Sequence, residues 1–511
     1  MTVSLAAIAA SAVSLSFLLD WLALPHAGAS RPPEAIGLHL AALACIGALV
    51  LFITARPVFS TCAVFAVITL LALVSNAKFE SLREPFVFTD LSLFSQLFEH
   101  PRLYLPFLSI GKVAALVIGA AIVVAGYIVE PALPSRPSVE AAIIFLVGAL
   151  VSVVLAARLP LTLDAAVDQR RFGFVAVFVA YLLNGLRPAT VERLHREASV
   201  SAFALGAPES GPDLIVIQSE SFFDARKIGV PVAKHVYEHF DRACEGAFTH
   251  GQLTVPAWGA NTMRTEFAML TGLSQAQLGY ARFYPYAFVR RQSASIASWV
   301  ARAGYRTVAL HPYHASFFGR RRAFPLLGFE RFLDITHFDG ARRAGPYIAD
   351  DAVADAIIEQ LDDASDVPIF IFSMTMENHG PLHLERVAPD ESALLHGLGD
   401  APVWHDLTAY LRHVANADRM IGKLVERLRD RPRPTVLCFY GDHVPALSRA
   451  YTTLGKTPMH SDYFVWRNYG DNLGGWQDLK VEDLGSALRH AIHSSGAVDT
   501  AVSASQMTIQ K

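Results

Sequence analysis

Five short segments carry side chains whose types and spacing could do chemistry. Ser219-Glu220-Ser221-Phe222, His311-Pro312, Glu377-Asn378-His379-Gly380 and Gly441-Asp442-His443 each follow a short apolar, β-branched run. The fifth, residues 258–272, is a glycine-bounded loop that runs into a helical pattern. Glu220, Asp442 and His443 offer two hard carboxylate oxygens and an imidazole, a donor set that suits a divalent ion such as Mn²⁺, Mg²⁺ or Zn²⁺. Taken singly, a Glu after a strand reads as a helix N-terminal residue and an Asp-His pair as a turn; their convergence is what makes a metal site. Thr262 falls where the helical pattern begins, and a hydroxyl there faces free backbone N–H groups and the positive helix end. It is either a simple N-cap or, beside a metal ion, a nucleophile. Arg320-Arg321-Arg322 follow Phe317-Phe318-Gly319. A guanidinium fork can clamp a phosphate or sulfate, whereas Arg321 and Arg322 read as a solvated basic turn.

The elements that must position these groups are legible around them. Leu214-Ile215-Val216-Ile217, Thr307-Val308-Ala309-Leu310, Ile369-Phe370-Ile371-Phe372 and Val436-Leu437-Cys438-Phe439 are continuous apolar runs. Helical patterns at 293–303, 350–361 and 406–429 separate or follow them. Such alternation indicates a buried, mostly parallel sheet. In open α/β sheets ligands bind outside the carboxyl ends of the strands. Four such ends here carry Glu, His, Asn-His and Asp-His.

The rest of the chain is of another kind. Of 511 residues 52% are hydrophobic and only 17% charged, which excludes a disordered chain and a small disulfide scaffold. A net charge of -3 gives no reason to expect nucleic acid, which favours a basic patch. Cys45, Cys62, Cys244 and Cys438 lack metal-type spacing, and the first two lie in apolar runs. The first 157 residues hold seven of the 43 Lys/Arg and eight of the 46 Asp/Glu. They read as five membrane spans at 2–24, 36–55, 57–77, 113–129 and 139–157, punctuated by Arg31-Pro32-Pro33, Arg56-Pro57 and the 131–137 proline segment. The first lacks a basic n-region and more spans follow, so it reads as retained rather than as a cleaved signal peptide. Residues 78–112 are amphipathic and aromatic, either an interfacial segment or a plain loop. Residues 172–186 are read as a helix lying on the membrane surface rather than a sixth span. The expected organisation is a transmembrane domain at 1–157, an interfacial linker at 158–210, an α/β domain at 211–493 and a flexible tail at 494–511. Loop charge, with four basic residues in 78–112, would place that loop and the C-terminal domain inside.

The ordered motifs resemble the alkaline phosphatase–sulfatase superfamily, and within it the membrane-bound lipoteichoic acid synthase and phosphoglycerol transferase branch. Ser219-Glu220-Ser221-Phe222 looks like the metal-binding Glu segment. Asn261-Thr262-Met263-Arg264-Thr265-Glu266-Phe267 looks like the nucleophile segment, and Tyr440-Gly441-Asp442-His443 like the paired metal ligands. Phe317-Phe318-Gly319-Arg320, with His311 nine residues earlier, and Glu377-Asn378-His379-Gly380-Pro381 look like substrate-binding segments. The resemblance implies a sulfatase-like α/β domain behind N-terminal membrane helices. It implies one Mn²⁺-like ion on Glu220, Thr262, Asp442 and His443, with Mg²⁺ or Zn²⁺ as alternatives. It implies Thr262 as nucleophile and His311, Arg320 and His379 on the substrate phosphate or in proton transfer. The donor implied is phosphatidylglycerol and the acceptor a glycan or polyglycerolphosphate, with the catalytic domain outside the cytoplasm, against the loop-charge count. Met263-Arg264 departs from the small or acidic residues usual in the Gram-positive synthases, which points to a different acceptor. No Cys/Ser-x-Pro-x-Arg run surrounds Thr262, so sulfate-ester hydrolysis is not expected. A phosphoethanolamine transferase, a hydrolase using water, and a non-catalytic membrane binding module are the alternatives.

Overall fold

The computed structural model describes residues 2–93, 99, 110–135, 137–208, 211–363, 367–472 and 475–493. It divides into two compact units, Met1–Glu192 with Gly279–Phe283, and Arg193–Leu278 with Tyr284–Lys511.

The first unit is helical: α1 (Thr2–Trp21), α2 (Pro33–Thr54), α3 (Pro57–Leu82), α4 (Ile110–Val129), α5 (Ser138–Arg158), α6 (Ala165–Phe172), α7 (Phe174–Gly185) and α8 (Pro188–Ala198), whose last turns pass into the second unit. Among the described residues α2, α3 and α5 are each long and apolar enough to cross a membrane, at 22, 26 and 21 residues. The other two apolar runs coincide with α1 and α4, whose described stretches Ser11–Trp21 and Val117–Val129 are shorter. Proline at the first position of α2 and α3 starts each helix where its missing N–H costs nothing. Lipid offers no hydrophobic drive between helices, so close approach depends on small residues. Gly148 of α5 supplies it against α2: a Cβ there would lie 2.9 Å from Cys45 Sγ and 3.2 Å from the Ala41 carbonyl oxygen.

Two segments read above as lying near the membrane surface find protein neighbours. Residues 172–186 contain α7, which together with α8 is apolar enough for one bent span. Most of α7 is buried, packed against α2 and α5, and α7 is bent by 65° from α8 where Pro188 interrupts the backbone. The aromatics of the 78–112 segment also turn inward where they are described. Phe86 and Phe88 are buried, Phe86 stacked on Phe178 at 5.8 Å and Phe88 against Gly185. Rings that find a protein neighbour remove more apolar surface than rings left at an interface. Residues 94–98 and 100–109 lie outside the described residues, as does the 494–511 tail.

The second unit is a nine-stranded mixed sheet. Its strands are β1 (Asp213–Ser219), β2 (Thr249–Thr254), β3 (Arg306–Leu310), β4 (Arg331–Leu333), β5 (Ile369–Met374), β6 (Thr435–Gly441), β7 (His460–Arg467), β8 (Gly475–Trp476) and β9 (Leu479–Lys480). They run in the order β8-β2-β7-β6-β1-β5-β3-β4, with β9 also on β2. The four runs read from sequence are β1, β3, β5 and β6, and they form the parallel centre. β7 pairs antiparallel with both β6 and β2. β1, β5 and β6 are buried along their whole length, as strands covered on both faces must be. Of the helices, α9 (Glu238–Glu245), α11 (Asp350–Asp362) and α12 (His405–Arg429) pack together over one apolar cluster, and α10 (Thr262–Thr271) packs with α13 (Val481–His493). The helix expected over 293–303 is shorter, Ile296–Ala301, because the Ser295 hydroxyl accepts from the Ser298 N–H and caps it there.

Candidate active site

The parallel register brings the metal-type residues together. Ser219 of β1 stands opposite Gly441 of β6, so Glu220 and Asp442, the next residue of each chain, leave the sheet side by side. His443 follows at once. Gly441 admits no side chain, since a Cβ would sit 1.9 Å from the Phe222 carbonyl oxygen. Ser221 holds a left-handed φ of 55°, a conformation that must be held by its surroundings. Its N–H donates to Asp442 Oδ1 at 2.8 Å, and the His443 N–H donates to the same oxygen at 2.8 Å.

Glu220, Asp442 and His443 are buried, and one donor atom of each lies within 4.8 Å of the others. His443 Nδ1 donates to the Val444 carbonyl at 3.1 Å, so Nε2 carries the lone pair. That nitrogen lies 3.5 Å from Glu220 Oε1 and 3.4 Å from Asp442 Oδ2. Asp442 Oδ2 is buried with no hydrogen-bond partner, and such orphaned oxygens call for an explanation. Burial, and then the Asp442 charge, push the Glu220 carboxyl up to about 8. A divalent cation among these three groups would satisfy Oδ2 and invert that electrostatic balance. The residues present therefore fit a divalent metal ion.

Thr262 is the first residue of α10, half-buried, after Asn261 in a left-handed conformation with φ 67°. Two bonds bracket it against the metal-type segment. The Gly259 N–H donates to the Val444 carbonyl at 3.0 Å, and Thr265 Oγ1 donates to the Asp442 carbonyl at 2.7 Å. Arg264, which follows Met263, is buried.

His311 leaves β3, whose Leu310 pairs with Ser373 of β5. Arg320 starts a short helix, Arg320–Leu326, after Phe318 and Gly319 with left-handed φ of 55° and 71°. Arg320 is 1% exposed, and its Nη1 lies 3.4 Å from His311 Nε2. Burial, then the Arg320 charge, hold His311 well below the usual imidazole range, so it is neutral and accepts. Arg321 and Arg322 are exposed, as read. His379 follows β5, half-buried. Its Nδ1 donates to the Gly380 carbonyl at 2.7 Å, leaving Nε2 as an acceptor. Burial lowers its pKa as well.

Two groups carried no assigned role in the sequence. Glu266 is fully buried and holds Arg320 by paired bonds, Nε to Oε1 and Nη2 to Oε2, both 2.9 Å. An acid among the apolar residues of a helix signals a buried partner, but names none. The second is His413 on α12. Its Nδ1 meets Glu377 Oε1 at 2.8 Å and its Nε2 meets Glu385 Oε2 at 2.9 Å. Glu377 also takes Asn416 and, at 2.7 Å, the Asp350 N–H, so this network backs the loop that bears His379.

Burial alone would lower the His413 pKa, but bonds to Glu377 and Glu385 outweigh it and raise it to about 9. The folded pKa lies above the unfolded value near 6.5. Its stabilisation is therefore complete below pH 6.5 and lost as pH rises through about 9, and it amounts to roughly 3 kcal/mol. Melting temperature is expected to fall between pH 7 and 9.5, and His413→Gln to flatten that slope while lowering stability at pH 6. A thermal scan across pH checks this, and an equally steep slope in the variant would refute it.

The architecture and site so assembled define a sulfatase-type domain behind membrane helices. Residues 212–477, more than half of the chain, match the sulfatase family model, and the chain belongs to that family. It is 28% identical over 475 residues to the capsular polysaccharide biosynthesis protein RkpI of Rhizobium meliloti (strain 1021), covering 85% of this chain and 83% of that one. It is also 28% identical over 305 residues to a putative cyclic beta-1,2-glucan modification protein of the same organism, covering 58% of this chain and 46% of that one. Its fold is shared with the integral membrane lipooligosaccharide phosphoethanolamine transferase A (EptA) of Neisseria meningitidis, at a TM-score of 0.53 and 14% identity over 86% of this chain and 88% of that one.

Proposed function

We propose that this protein is a membrane-bound, metal-dependent phosphoglycerol transferase. It moves glycerol phosphate from phosphatidylglycerol to a glycan or polyglycerolphosphate acceptor through a covalent Thr262 intermediate. The observation that carries the reading is the orphaned Asp442 Oδ2 beside Glu220 and the His443 lone pair, with the Thr262 turn tied to the same segment. Glu220, Asp442, His443 and Thr262 would hold one ion, with Mn²⁺ favoured over Mg²⁺ or Zn²⁺. Such an ion supplies Lewis-acid stabilisation of phosphoryl oxygens and lowers the pKa of a bound hydroxyl.

The protein's own residues do the rest. Thr262 Oγ1 attacks phosphorus and the bond to the diacylglycerol oxygen breaks, the Thr262 proton passing to that oxygen. In the second half the acceptor hydroxyl attacks, the bond to Thr262 breaks and the acceptor proton returns to it. Arg320 stabilises charge on the phosphoryl oxygens, with neutral His311 turning its guanidinium. His379, with its proton held on Nδ1, offers Nε2 to take the acceptor's proton and pass it on toward the departing Thr262 oxygen. Two steps let diacylglycerol leave before the acceptor enters.

Relatives named for capsular polysaccharide biosynthesis and cyclic glucan modification support a glycan acceptor. A glycan acceptor and a lipid head group fit a catalytic unit outside the cytoplasm, at the inner membrane, and that location is part of the proposal. The four cysteines are free, and the metal-type cluster found among the described residues holds three ligands; neither supports the phosphoethanolamine branch.

The test is head-group release in detergent with Mn²⁺, from labelled phosphatidylglycerol and phosphatidylethanolamine together. Diacylglycerol is expected from phosphatidylglycerol alone. Release from phosphatidylethanolamine instead would move the protein to that donor, and release from neither, with a glycan acceptor added, would overturn the transferase reading.

A further inference from the structure

We propose that Glu266 is a positioning residue that fixes the angle of Arg320 toward the phosphoryl group and locks it to the nucleophile. Glu266 stands four residues after Thr262 on α10, so both lie on one helix face about 6 Å apart along the axis. One rigid helix turn therefore carries the attacking hydroxyl and the carboxylate that aims the arginine.

The hold is bidentate, with Arg320 Nε on Oε1 and Nη2 on Oε2 at 2.9 Å each. Two parallel bonds set the plane of a guanidinium as well as its place. They turn Nη1 toward His311, 3.4 Å away. Glu266 is itself held. The Tyr286 hydroxyl donates to Oε1 at 2.5 Å and Gln218 Nε2 to Oε2 at 3.3 Å, and Gln218 Oε1 in turn accepts from the Tyr440 hydroxyl at 2.6 Å. Gln218 lies two residues before Glu220 on β1, and Tyr440 two before Asp442 on β6. The strands that deliver the metal-type carboxylates thus also anchor the arginine's partner. Any buried carboxylate needs partners for its remaining lone pairs; here Gln218 of β1, itself bonded to Tyr440 of β6, is one of them.

The inference rests on the proposed phosphoryl chemistry but is tested apart from it. Full-length protein with Mn²⁺ is titrated with inorganic phosphate by calorimetry, and lipid head-group release is measured for kcat and KM. The variants are Glu266→Gln, Glu266→Asp, Arg320→Gln and the double Glu266→Gln/Arg320→Gln. Glu266→Gln is expected to weaken phosphate binding at least tenfold and lower kcat/KM about 100-fold. The double variant should be no worse than Arg320→Gln alone, because the two act as one unit. If Glu266→Gln leaves Arg320 uncompensated and fails to fold, Glu266→Asp keeps the charge but draws the guanidinium back. It should then cost about tenfold in kcat/KM at an unchanged melting temperature. Phosphate affinity and kcat/KM within twofold of wild type in a folded Glu266 variant, or additive losses in the double, would overturn the proposal. A wild type that releases no head group sinks the transferase reading, while the phosphate titration still decides the role of Glu266.

Discussion

Thr262→Ala is expected to lower steady head-group release by at least about 1,000-fold in a protein that still folds and still binds metal. The side chain is half-buried at a helix start, and the bonds that tie the turn down come from the Gly259 N–H and the Thr265 hydroxyl on either side. Removing one hydroxyl and one methyl there leaves those ties in place, so the loss reports chemistry rather than unfolding. Thr262→Ser keeps the hydroxyl and should retain measurable turnover. Mass spectrometry of the wild type, quenched with phosphatidylglycerol but no acceptor, should show glycerol phosphate on Thr262. Steady turnover in folded Thr262→Ala protein would refute the covalent proposal.

Asp442→Asn should be as damaging by another route, and the structure says why. Asp442 Oδ1 accepts two backbone N–H groups, from Ser221 and His443. An asparagine must keep its carbonyl oxygen there to satisfy both. Its NH₂ then replaces Oδ2, the one atom without a partner, and points two protons at the position a cation would take. Metal affinity is expected to fall more than 100-fold, and head-group release with it, while the fold is kept. Mn²⁺ titration by calorimetry on both proteins reads the first directly. Equal affinities would show that Asp442 is not a ligand.

Much of this site was legible because the signals are local. A short run of β-branched and apolar residues is a buried strand wherever it lies in the chain, and the four runs found are the parallel centre of the sheet. The polar residue that ends each run lies at a carboxyl edge for the same reason. The antiparallel arm is absent from the sequence reading, although β7 carries the apolar run Tyr463-Phe464-Val465-Trp466 between Asp462 and Arg467; an apolar run by itself does not tell which way a strand pairs. The aromatic segment after α3 was read by composition alone. Composition reports that Phe86 and Phe88 avoid water, and leaves open whether lipid or protein covers them.

The sequence by itself determined the division into apolar helices and an α/β part, the central strands, and the order of reactive residues along the chain. Each depends on residues within a few positions of one another. Only the tertiary structure decided which of those residues meet. Register placed Glu220 beside Asp442 and Ser221 beside His443, each pair 222 residues apart in the chain. Packing joined Glu266 to Arg320 across 54 residues and left one oxygen of Asp442 without a partner. Periodicity along a chain repeats every two or 3.6 residues and has no information on partners so far apart; strand order and register supply it.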